Sequence, residues 1–582
     1  MNLKLKTENL LKIRNVDTML TSYNIEMTEV TGGTFWKAYT SEQVAGIKEY
    51  EGGSRVDMMQ VNAPVNLYNE RFRKLAKGIG SVWVRVSGSW ATKTYYDFDG
   101  HTNGVVPEGY QNLLTKEQWI GVLDYVKEIN GKLLISLANC EGNHKLNEPW
   151  NNEQAKLILD FSKEYGVPVS AIEFVNEPNY IDITGFPKGY TVEDYGKDFD
   201  LFARWLRTNY PEILIVGPSS ATTEKGIHPM LDDAGKYVKM APTQEMLNAC
   251  EEKPDVFSYH YYNGVSERGA AGGGHWSVEQ ACSEEYLGVV ECAIKYYINM
   301  SGKVTTNGQL WVTESGDAAC GGNTWGSTFL DVIRSANELG MFTKLTDGII
   351  FHNTFASSDY GWIDPITHLP RPNYWLNYIW NQLIGQNTYD TGWNNCEGAH
   401  IFAYDRKAGK NGYVYMIINN SKTVETVVDF EKEEYSCKGW EEIQVPNPIQ
   451  IEHVLPGEIP TEFNPVASYV KYFTVPVNMR GERMCISFQG VEGGFAVWLN
   501  GQYVGYSQNA YAPAEFELTP YLKEGENKLA VRVWKWTAGS GDEKQDCGCS
   551  FGIFQNVYLY VVPKPPACCY LINEFLPHLF HN

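Results

Sequence analysis

The sequence contains no long hydrophobic run. None of its apolar stretches approaches the roughly 20 residues that a membrane-spanning helix needs, although 43% of the 582 residues are hydrophobic. The first residues, MNLKLKTENLLKIRNV, also lack the apolar core of a secretory signal peptide. We therefore expect no membrane association and a cytoplasmic location. The chain is too long for one compact core, so two or three domains are expected.

Closely paired cysteines are missing as well. The 12 cysteines are scattered without C-x-x-C pairs; Cys547 and Cys549 form one C-x-C, and Cys568 and Cys569 are adjacent. A structural zinc site needs two well-spaced pairs of ligands. We therefore expect no metal and no organic cofactor, and a chain whose thiols are reduced.

Basic residues are few relative to acidic residues. The chain has 48 Lys and Arg against 70 Asp and Glu, a formal net charge of −22. Nucleic acids, anionic membranes and long polyanions are therefore disfavoured as partners. A single anionic sugar held by local hydrogen-bond donors remains compatible with this charge. The 13% aromatic content fits sugar-stacking surfaces as well as large cores.

Short apolar runs alternate with longer amphipathic stretches in the first two thirds of the chain. The amphipathic stretches are typical of helices; the one at 191–210 begins with Thr191 three residues before Asp194, the pattern of a capped helix. Eight strand–helix units predict an α/β fold, a (β/α)8 TIM barrel, over residues 33–387. The eight predicted strands are GTFWKAYT (33–40), VWVRVSG (82–88), LLISLAN (133–139), AIEFVNEP (171–178), LIVGPSS (214–220), VFSYHYY (256–262), LWVTES (310–315) and GIIFHNTF (348–355).

Two carboxylates stand at the tips of predicted strands. Glu177 ends the fourth run and Glu314 ends the seventh, and in such barrels the chemistry lies at the carboxyl ends of the strands. A carboxylate pair at about 5–5.5 Å is the apparatus of a retaining glycosidase, and a wider pair inverts. One carboxyl must stay protonated while the other is ionised and attacks. We therefore predict that Glu177 and Glu314 are a catalytic pair.

The barrel resembles a known clan. Asn-Glu-Pro on the fourth strand and a glutamate ending the seventh resemble the retaining (β/α)8 glycosidases. Within this clan the chain is most similar to glycoside hydrolase family 79, the heparanase and β-glucuronidase family. The motifs are NNEQAKLILDFSKEYGVPVSAIEFVNEPN (151–179), HYYNG (260–264), TESGDAACGG (313–322) and PRPNYWLNYIWNQLIG (370–385).

The resemblance assigns roles by position. It implies that Glu177 is the acid/base and Glu314 the nucleophile. It further implies that Asn176 binds the sugar 2-hydroxyl and that Tyr261 donates a hydrogen bond to the nucleophile. Packing at the barrel mouth is the alternative for Tyr261, and a buried, satisfied histidine is as good an interpretation of His260 as a site residue.

A glucuronide brings a carboxylate that needs donors. The resemblance implies that backbone N–H groups at Gly321 and Gly322 bind it together with Tyr360, although the loop has one glycine fewer than is usual in the family and is also compatible with a plain turn. Arg85, within an apolar run, is expected to brace the catalytic carboxylates. Asn139, at the tip of the third predicted strand, is a candidate contact at the rim of the substrate site.

The C-terminal third alternates apolar and polar residues between NG and EGEN turns, which predicts a jelly-roll-like β-sandwich. FAVWLNGQYVGYSQNAYAPAEFELTPYL strongly resembles the sugar-binding domain of glycoside hydrolase family 2. We expect it to prop the barrel or to bind glycan. The predicted domains are an N-terminal segment of a β-sandwich (1–32), the barrel (33–387), sandwich strands (388–436), the sugar-binding-type domain (437–563) and a tail (564–582).

Together these features predict a retaining glycoside hydrolase that cleaves short β-glucuronides or glucuronide conjugates. Two alternatives remain open. One is a glycosidase of the same clan acting on a neutral sugar such as a xyloside, glucoside or galactoside. The other is a catalytically inactive carbohydrate-binding protein.

Overall fold

The computed structural model divides the chain into two compact units, Met1–Glu431 and Lys432–Asn582. In the described part of the chain, no helix is long and apolar enough to span a bilayer. Most of the predicted tail 564–582 lies outside the described residues. The structure describes residues 1–6, 9–50, 58–221, 224–234, 240–305, 308–407, 412–430, 442–443, 466–509, 512–537, 552–562, 571–572 and 580–581.

Eight parallel strands close into a barrel in the first unit, which confirms the predicted fold class. Each strand pairs with its neighbours in chain order, and the last pairs with the first. The strands are β1 Thr21–Glu26, β2 Trp83–Ser87, β3 Lys132–Ser136, β4 Val169–Glu173, β5 Leu214–Ser220, β6 Val256–Tyr262, β7 Leu310–Gly316 and β8 Ile350–His352.

Amphipathic helices surround the barrel. Hydroxyl side chains cap several of them; Thr191, as expected from the sequence, accepts a hydrogen bond from the Asp194 N–H. The longer helices are Glu70–Ile79, Lys116–Glu128, Glu153–Glu164, Val192–Asn209, Thr243–Ala249, Glu284–Ser301, Phe329–Leu345 and Pro372–Leu383. The shorter helices include Met27–Thr31, Ser41–Val44, Ile181–Thr184 and Pro229–Ala234.

The first barrel strand is not where the sequence analysis placed it. The barrel uses Thr21–Glu26, whereas residues 33–36 of the predicted strand form a hairpin with Met59–Asn62. Part of the segment 1–32, which was predicted to belong to a β-sandwich, therefore belongs to the barrel. The physical reason is that all six residues of Thr21–Glu26 are buried although four are polar, so the segment lacks the apolar run used to recognise strands.

A small antiparallel sheet in the same unit is built from strands that precede and follow the barrel in the sequence. Its order is Tyr413–Ile418, His400–Arg406, Ile384–Asp390 and Leu11–Asn15. The N-terminal segment thus contributes a strand to it, and Asn2–Leu5 pairs with Val427–Phe430. Two short pairs in the barrel loops complete the unit: the hairpin described above and the parallel pair Thr94–Asp97 with Asn112–Thr115.

The described residues of the second unit form a two-sheet sandwich with its own apolar core, including Tyr469, Phe495 and Val531. One sheet contains Val466–Thr474, Glu526–Trp534, Gly494–Leu499 and Gln502–Ser507, with the two-residue strands Glu442–Ile443 and Phe580–His581. The other contains Ala514–Glu517, Arg483–Phe488, Val557–Val562 and Leu571–Ile572. A short pair joins Val491–Glu492 to Gly552–Ile553.

One helix glycine tests how tightly the first unit is packed. A Cβ added to Gly340 would overlap the ring of Phe402. We expect Gly340→Ala to lower the free energy of unfolding by about 2 kcal/mol, the usual cost of overpacking a core.

Gly288, in the helix Glu284–Ser301, is the matched control because no atom lies within 4 Å of its added Cβ. Gly288→Ala is expected to gain up to about 1 kcal/mol. Urea unfolding followed by circular dichroism measures both, and equal shifts would contradict the packing.

Candidate active site

Glu177 lies just beyond the end of β4, on a backbone that is itself unusual. Its φ of 45° is in the left-handed region, which a non-glycine residue occupies at a cost. Its Oε1 lies 3.0 Å from His260 Nδ1, and its side chain is 20% exposed. Burial raises the pKa of Glu177 to about 7, with the Arg85 charge opposing the shift. The carboxyl therefore keeps its proton up to near-neutral pH.

Glu314 lies on β7 and is more deeply buried, at 5% exposure. Its Oε1 accepts a hydrogen bond from Arg85 Nη1 at 3.0 Å, and its Oε2 accepts one from the Tyr262 hydroxyl at 2.7 Å. Asn353 Nδ2 approaches Oε2 at 3.5 Å. One oxygen of Glu314 lies within 4.8 Å of one oxygen of Glu177. The structure thus brings the two predicted carboxylates together at one end of the barrel.

Arg85 is fully buried under this pair and holds the site together. Its Nε and Nη2 form a bidentate ion pair with Glu173, both at 2.9 Å. The same Nη2 donates to Asn176 Oδ1 at 2.7 Å and to His260 Nε2 at 3.2 Å. Arg85 contacts one of the two predicted catalytic carboxylates, Glu314. Its second carboxylate partner is Glu173, however, rather than Glu177.

His260 is positioned between the two carboxylates. Burial lowers its pKa to about 4, so the ring is neutral near pH 7. A guanidinium can only donate, so Nε2 accepts the Arg85 bond and the ring proton lies on Nδ1. From there it faces Glu177 Oε1 at 3.0 Å and Glu314 Oε2 at 3.5 Å. His260 is therefore a site residue as well as a buried, satisfied histidine.

The tyrosine that contacts Glu314 is Tyr262, not Tyr261. The Tyr261 hydroxyl donates to Asn263 Oδ1 at 2.5 Å, and its ring packs in the apolar layer outside the barrel. Side chains alternate along a strand, so neighbouring residues face opposite sides. An irregularity in the pairing of β6 with β7 at Tyr259 and His260 shifts the register there. Such shifts are not readable from the motif HYYNG.

Asn176 and Asn139 differ in what they offer to a substrate. Asn176 Oδ1 is held by Arg85, whereas its Nδ2 makes no hydrogen bond to any residue that the structure describes, and it remains available as a donor. Asn139 is fully buried; its Nδ2 donates to the Tyr190 hydroxyl at 3.2 Å, and its Oδ1 lies 2.7 Å from His144 Nε2. The predicted rim contact at Asn139 is therefore wrong, because both polar ends of the side chain are used internally.

The glycine-rich loop after β7 is fixed by an arginine that the sequence analysis did not consider. Cys320, Gly321 and Gly322 have φ of 63°, 87° and 82°. Their three carbonyls accept hydrogen bonds from Arg268 Nη1 at 3.3, 3.1 and 3.1 Å. A Cβ at either glycine would crowd Trp36 or Tyr360. The predicted donor at Gly322 is not available, because its N–H donates to the Ala318 carbonyl at 3.2 Å. Among the described residues, no acceptor pairs with the N–H groups of Cys320 and Gly321.

Tyr360 lies close enough to Glu314 to be influenced by its charge. Burial raises its pKa well above the usual value, and the charges of Glu26 and Glu314 add to the shift. Its hydroxyl makes no hydrogen bond within the described part of the chain. The neighbouring residue Asp359 pairs with Arg268 at 2.5 Å. One buried arginine therefore fixes both the glycine loop and the segment that carries Tyr360.

A further carboxyl, Glu26, lies at the end of β1 near Glu314. Burial raises its pKa well above the usual value, with the charge of Glu314 adding to the shift. Its Oε2 has no hydrogen-bond partner among the described residues. Burial likewise raises the pKa of Glu29 to about 8. The sequence analysis missed Glu26 because it assigned that segment to a sandwich.

Two other residues of the site were not predicted, although the sequence contains features that point to them. Glu173 is a charged residue inside the buried run AIEFV, and it lies in the same barrel layer as Arg85. Burial alone would raise its pKa, but the charge and hydrogen bonds of Arg85 lower it below the usual value. Tyr262 is one residue beyond the tyrosine that the motif suggested.

Glu177, His260 and Glu314 are spaced so that they could also hold a metal ion. The expectation of no metal stays a prediction.

Comparisons with known proteins bear mainly on the C-terminal part. Residues 394–563 match the model of glycosyl hydrolases family 2, sugar binding domain, which confirms the predicted resemblance of that region. A β-galactosidase of Halalkalibacterium halodurans is 48% identical over 148 residues, 22% of this chain and 15% of that protein. The chain therefore spans only about 15% of the length of this curated relative.

Two solved structures resemble this chain over different shares of its length. A 4-O-α-L-rhamnosyl-β-D-glucuronidase from Fusarium oxysporum 12S covers 91% of this chain and 100% of its own, with TM-score 0.46 and 10% identity. Bacteroides uniformis β-glucuronidase 2, bound covalently to cyclophellitol-6-carboxylate aziridine, covers 17% of this chain and 12% of its own, with TM-score 0.17 and 24% identity.

The raised pKa of Glu177 makes a prediction that needs no substrate. A folded-state pKa near 7 against an unfolded value of 4.5 means that stability is lost as pH rises through this interval. Glu177→Gln removes this cost. We expect the free energy of unfolding of the variant, minus that of the parent, to increase as the pH is raised from 4.5 to 8, by up to about 3 kcal/mol. The unfolding midpoints of the two proteins at each pH measure this difference.

Glu164→Gln is the matched control for this measurement, because Glu164 is exposed at the end of the helix Glu153–Glu164. Its midpoint should follow the parent at every pH. A difference between Glu177→Gln and the parent that stays constant from pH 4.5 to pH 8 would show that Glu177 ionises normally in the fold.

Proposed function

We propose that this protein is a retaining glycoside hydrolase that cleaves β-glucuronides by double displacement. The proposal is supported above all by the oxygen–oxygen separation of at most 4.8 Å between Glu177 and Glu314. Retaining enzymes hold their two carboxyls about 5–5.5 Å apart, whereas inverting enzymes leave room for a water between them. The family 79 likeness of the barrel rests on its sequence motifs.

The first step would use the two carboxyls in opposite states. Glu314 accepts hydrogen bonds from Arg85 and Tyr262, and these donors compensate a negative charge on the attacking oxygen. It attacks the anomeric carbon and forms a glycosyl ester. Glu177 holds a proton up to about pH 7 and gives it to the departing glycosidic oxygen.

The second step reverses the role of Glu177. Now ionised, it takes a proton from a water molecule that attacks the anomeric carbon and releases Glu314. His260 Nδ1–H lies within hydrogen-bonding distance of Glu177 Oε1. It can donate to this oxygen both when the carboxyl is protonated and when it is ionised. The free Nδ2 of Asn176 is available for a sugar hydroxyl, in line with its predicted role.

The glucuronide assignment is supported by the donors near the nucleophile. The N–H groups of Cys320 and Gly321 and the hydroxyl of Tyr360 are unpaired among the described residues, and they suit a carboxylate. The raised pKa of Glu26 favours its protonated form, in which it would add a donor rather than a negative charge. These donors would stabilise an anionic sugar locally although the chain carries a formal net charge of −22.

A neutral sugar is the second candidate, and one observation favours it. Glu26 Oε2 lacks a partner among the described residues, and a sugar hydroxyl would pair with it without bringing a second carboxylate to the site. The β-galactosidase named above acts on a neutral sugar by its name, but its similarity covers only 22% of this chain.

Removal of the nucleophile tests the mechanism. Glu314→Ala is expected to lower the turnover of 4-nitrophenyl glycosides by at least about 10⁴-fold, since no covalent intermediate can form. Azide should restore turnover and give a glycosyl azide of inverted configuration, seen by proton NMR. Glu338→Gln, a buried glutamate on the neighbouring helix, is the control that should not be rescued. Hydrolysis by Glu314→Ala at the parent rate would rule out this nucleophile.

A substrate panel with one hydroxyl deletion tests the sugar. We expect 4-nitrophenyl β-glucuronide to be the best substrate among the glucuronide, galactoside, glucoside and xyloside. Tyr360→Phe should lower kcat/KM for the glucuronide roughly 10- to 100-fold, the effect of losing a hydrogen bond to a charged group. Neutral glycosides should change far less, and Tyr503→Phe, an exposed tyrosine in the second unit, should change nothing.

The panel also separates the alternatives. The glucuronide as the poorest substrate would favour the neutral-sugar glycosidase. No turnover of any glycoside by folded protein, together with measurable sugar binding, would favour an inactive carbohydrate-binding protein.

A further inference from the structure

Three side chains able to bind a metal converge in the long connection that follows β2. Asp97, Asp99 and His101 each offer one ligand atom, and these atoms lie within 4.8 Å of one another. They belong to the sequence DFDGHTNG, which begins at the end of the strand Thr94–Asp97. None of their described hydrogen bonds reaches Glu177 or Glu314, so the cluster is separate from the proposed catalytic residues.

Asp97 is the member that points to a missing ligand. Its side chain is only 4% exposed, and its Oδ2 accepts a hydrogen bond from the Thr102 hydroxyl at 2.5 Å. Its Oδ1 is buried and makes no hydrogen bond in the described part of the chain. This oxygen faces His101 Nδ1 at 3.4 Å, towards the centre of the cluster. An unpartnered buried carboxylate oxygen is costly, and a bound cation would remove that cost.

The turn after Asp97 directs the other two ligands to the same point. Gly100 and Asn103 have φ of 73° and 50°, so the chain reverses within a few residues. Asp99 Oδ1 accepts the His101 backbone N–H at 3.2 Å and lies 2.5 Å from His101 Nδ1. Both carboxylates therefore approach the same ring nitrogen.

The other face of the histidine ring is supported by Tyr95. The Tyr95 hydroxyl lies 3.5 Å from His101 Nε2, and the two rings meet edge to face with centroids 5.9 Å apart. A proton on Nε2 would point to that hydroxyl, which leaves the Nδ1 lone pair free for a cation. Metal-binding histidines are commonly oriented by a partner on the opposite nitrogen.

We propose that Asp97, Asp99 and His101 bind a divalent transition-metal ion, with Zn²⁺ as the best match. One imidazole nitrogen and two carboxylate oxygens are a donor set that Zn²⁺ accepts, with water completing the coordination. Mg²⁺ and Ca²⁺ prefer oxygen ligands throughout. This proposal departs from the expectation, drawn from the spacing of the cysteines, that the chain binds no metal. The ion would have no part in the reaction proposed above.

The ion would fasten a connection at the barrel mouth. The strand Thr94–Asp97 pairs with Asn112–Thr115, which leads directly into the helix Lys116–Glu128. Thr92, just before this strand, accepts a hydrogen bond from the Asn139 N–H after β3. Joining the end of the strand to the turn that follows would hold this part of the rim in one conformation.

Without an ion, the same residues form a different arrangement. A protonated His101 would bridge the two carboxylates, and the hydrogen bond to Asp99 raises the pKa of His101 in that direction. Only the first interpretation predicts that the cluster binds added metal, so a titration with metal distinguishes the two.

The experiment is a calorimetric titration of the full-length protein, freed of metal with EDTA, with ZnCl₂ at pH 7.5. We expect one saturable site assigned to this cluster. His101→Gln and Asp99→Asn change exposed side chains, so these variants should keep the fold, and Asp97→Asn tests the buried ligand. Each should weaken that site by more than about tenfold.

Two controls exclude other sites for the ion. Glu177→Gln removes a ligand from the catalytic cluster, and Cys292→Ser removes an exposed thiol; both should bind Zn²⁺ as the parent does. Co²⁺ bound to the parent should lack the near-ultraviolet band of a thiolate ligand. Zn²⁺ should also raise the unfolding midpoint of the parent but not that of His101→Gln.

Two results would overturn the proposal. One is the absence of Zn²⁺ binding by the folded parent at concentrations up to 1 mM. The other is binding by His101→Gln and Asp99→Asn with the affinity of the parent, which would locate the ion elsewhere.

Discussion

The candidate site depends on one buried cation, the guanidinium of Arg85. Three glutamates, Glu173, Glu177 and Glu314, share this end of the barrel, and a buried carboxylate is tolerated only when it is paired or protonated. Arg85 forms ion pairs with Glu173 and Glu314 and has no hydrogen bond to Glu177. This unequal distribution lowers the pKa of Glu173 and leaves that of Glu177 raised. The opposite pKa shifts of these two neighbouring glutamates thus follow from where one arginine points.

The second buried arginine, Arg268, organises the loops in a similar manner. It binds three successive carbonyls of the glycine loop, pairs with Asp359 and lies over the Tyr39 ring at 3.7 Å. The N–H groups of Cys320 and Gly321 have no acceptor among the described residues, whereas that of Gly322 donates to the Ala318 carbonyl. The barrel therefore contains two buried arginines with separate contacts: Arg85 holds Glu173 and Glu314, and Arg268 holds the glycine loop and Asp359.

The sequence predicted those parts of the fold that follow from apolar periodicity. Seven of the eight predicted runs overlap barrel strands, and Glu177 and Glu314 converge because both follow such runs. The first strand escaped prediction because Thr21–Glu26 is mostly polar and is buried by pairing with neighbours far along the chain. Tyr262 escaped because the motif pointed to the adjacent residue, whereas side chains alternate along β6 and Tyr262 shares the side of His260 that faces Glu314. Asn139 was misjudged because its partners, His144 and Tyr190, come together only in the folded chain.

The two units support different kinds of inference. The match to the family 2 sugar-binding domain covers residues 394–563, and this stretch contains neither Glu177 nor Glu314. A sandwich of this kind can accompany a barrel without determining what the barrel cleaves, because function resides in the site rather than in the accompanying fold. The substrate must therefore be deduced from the barrel mouth, where Tyr360 and Glu26 lie near Glu314, the proposed nucleophile. Whether these groups meet a carboxylate or a hydroxyl decides between the two sugars, since an unpaired buried donor or acceptor is what discriminates between them.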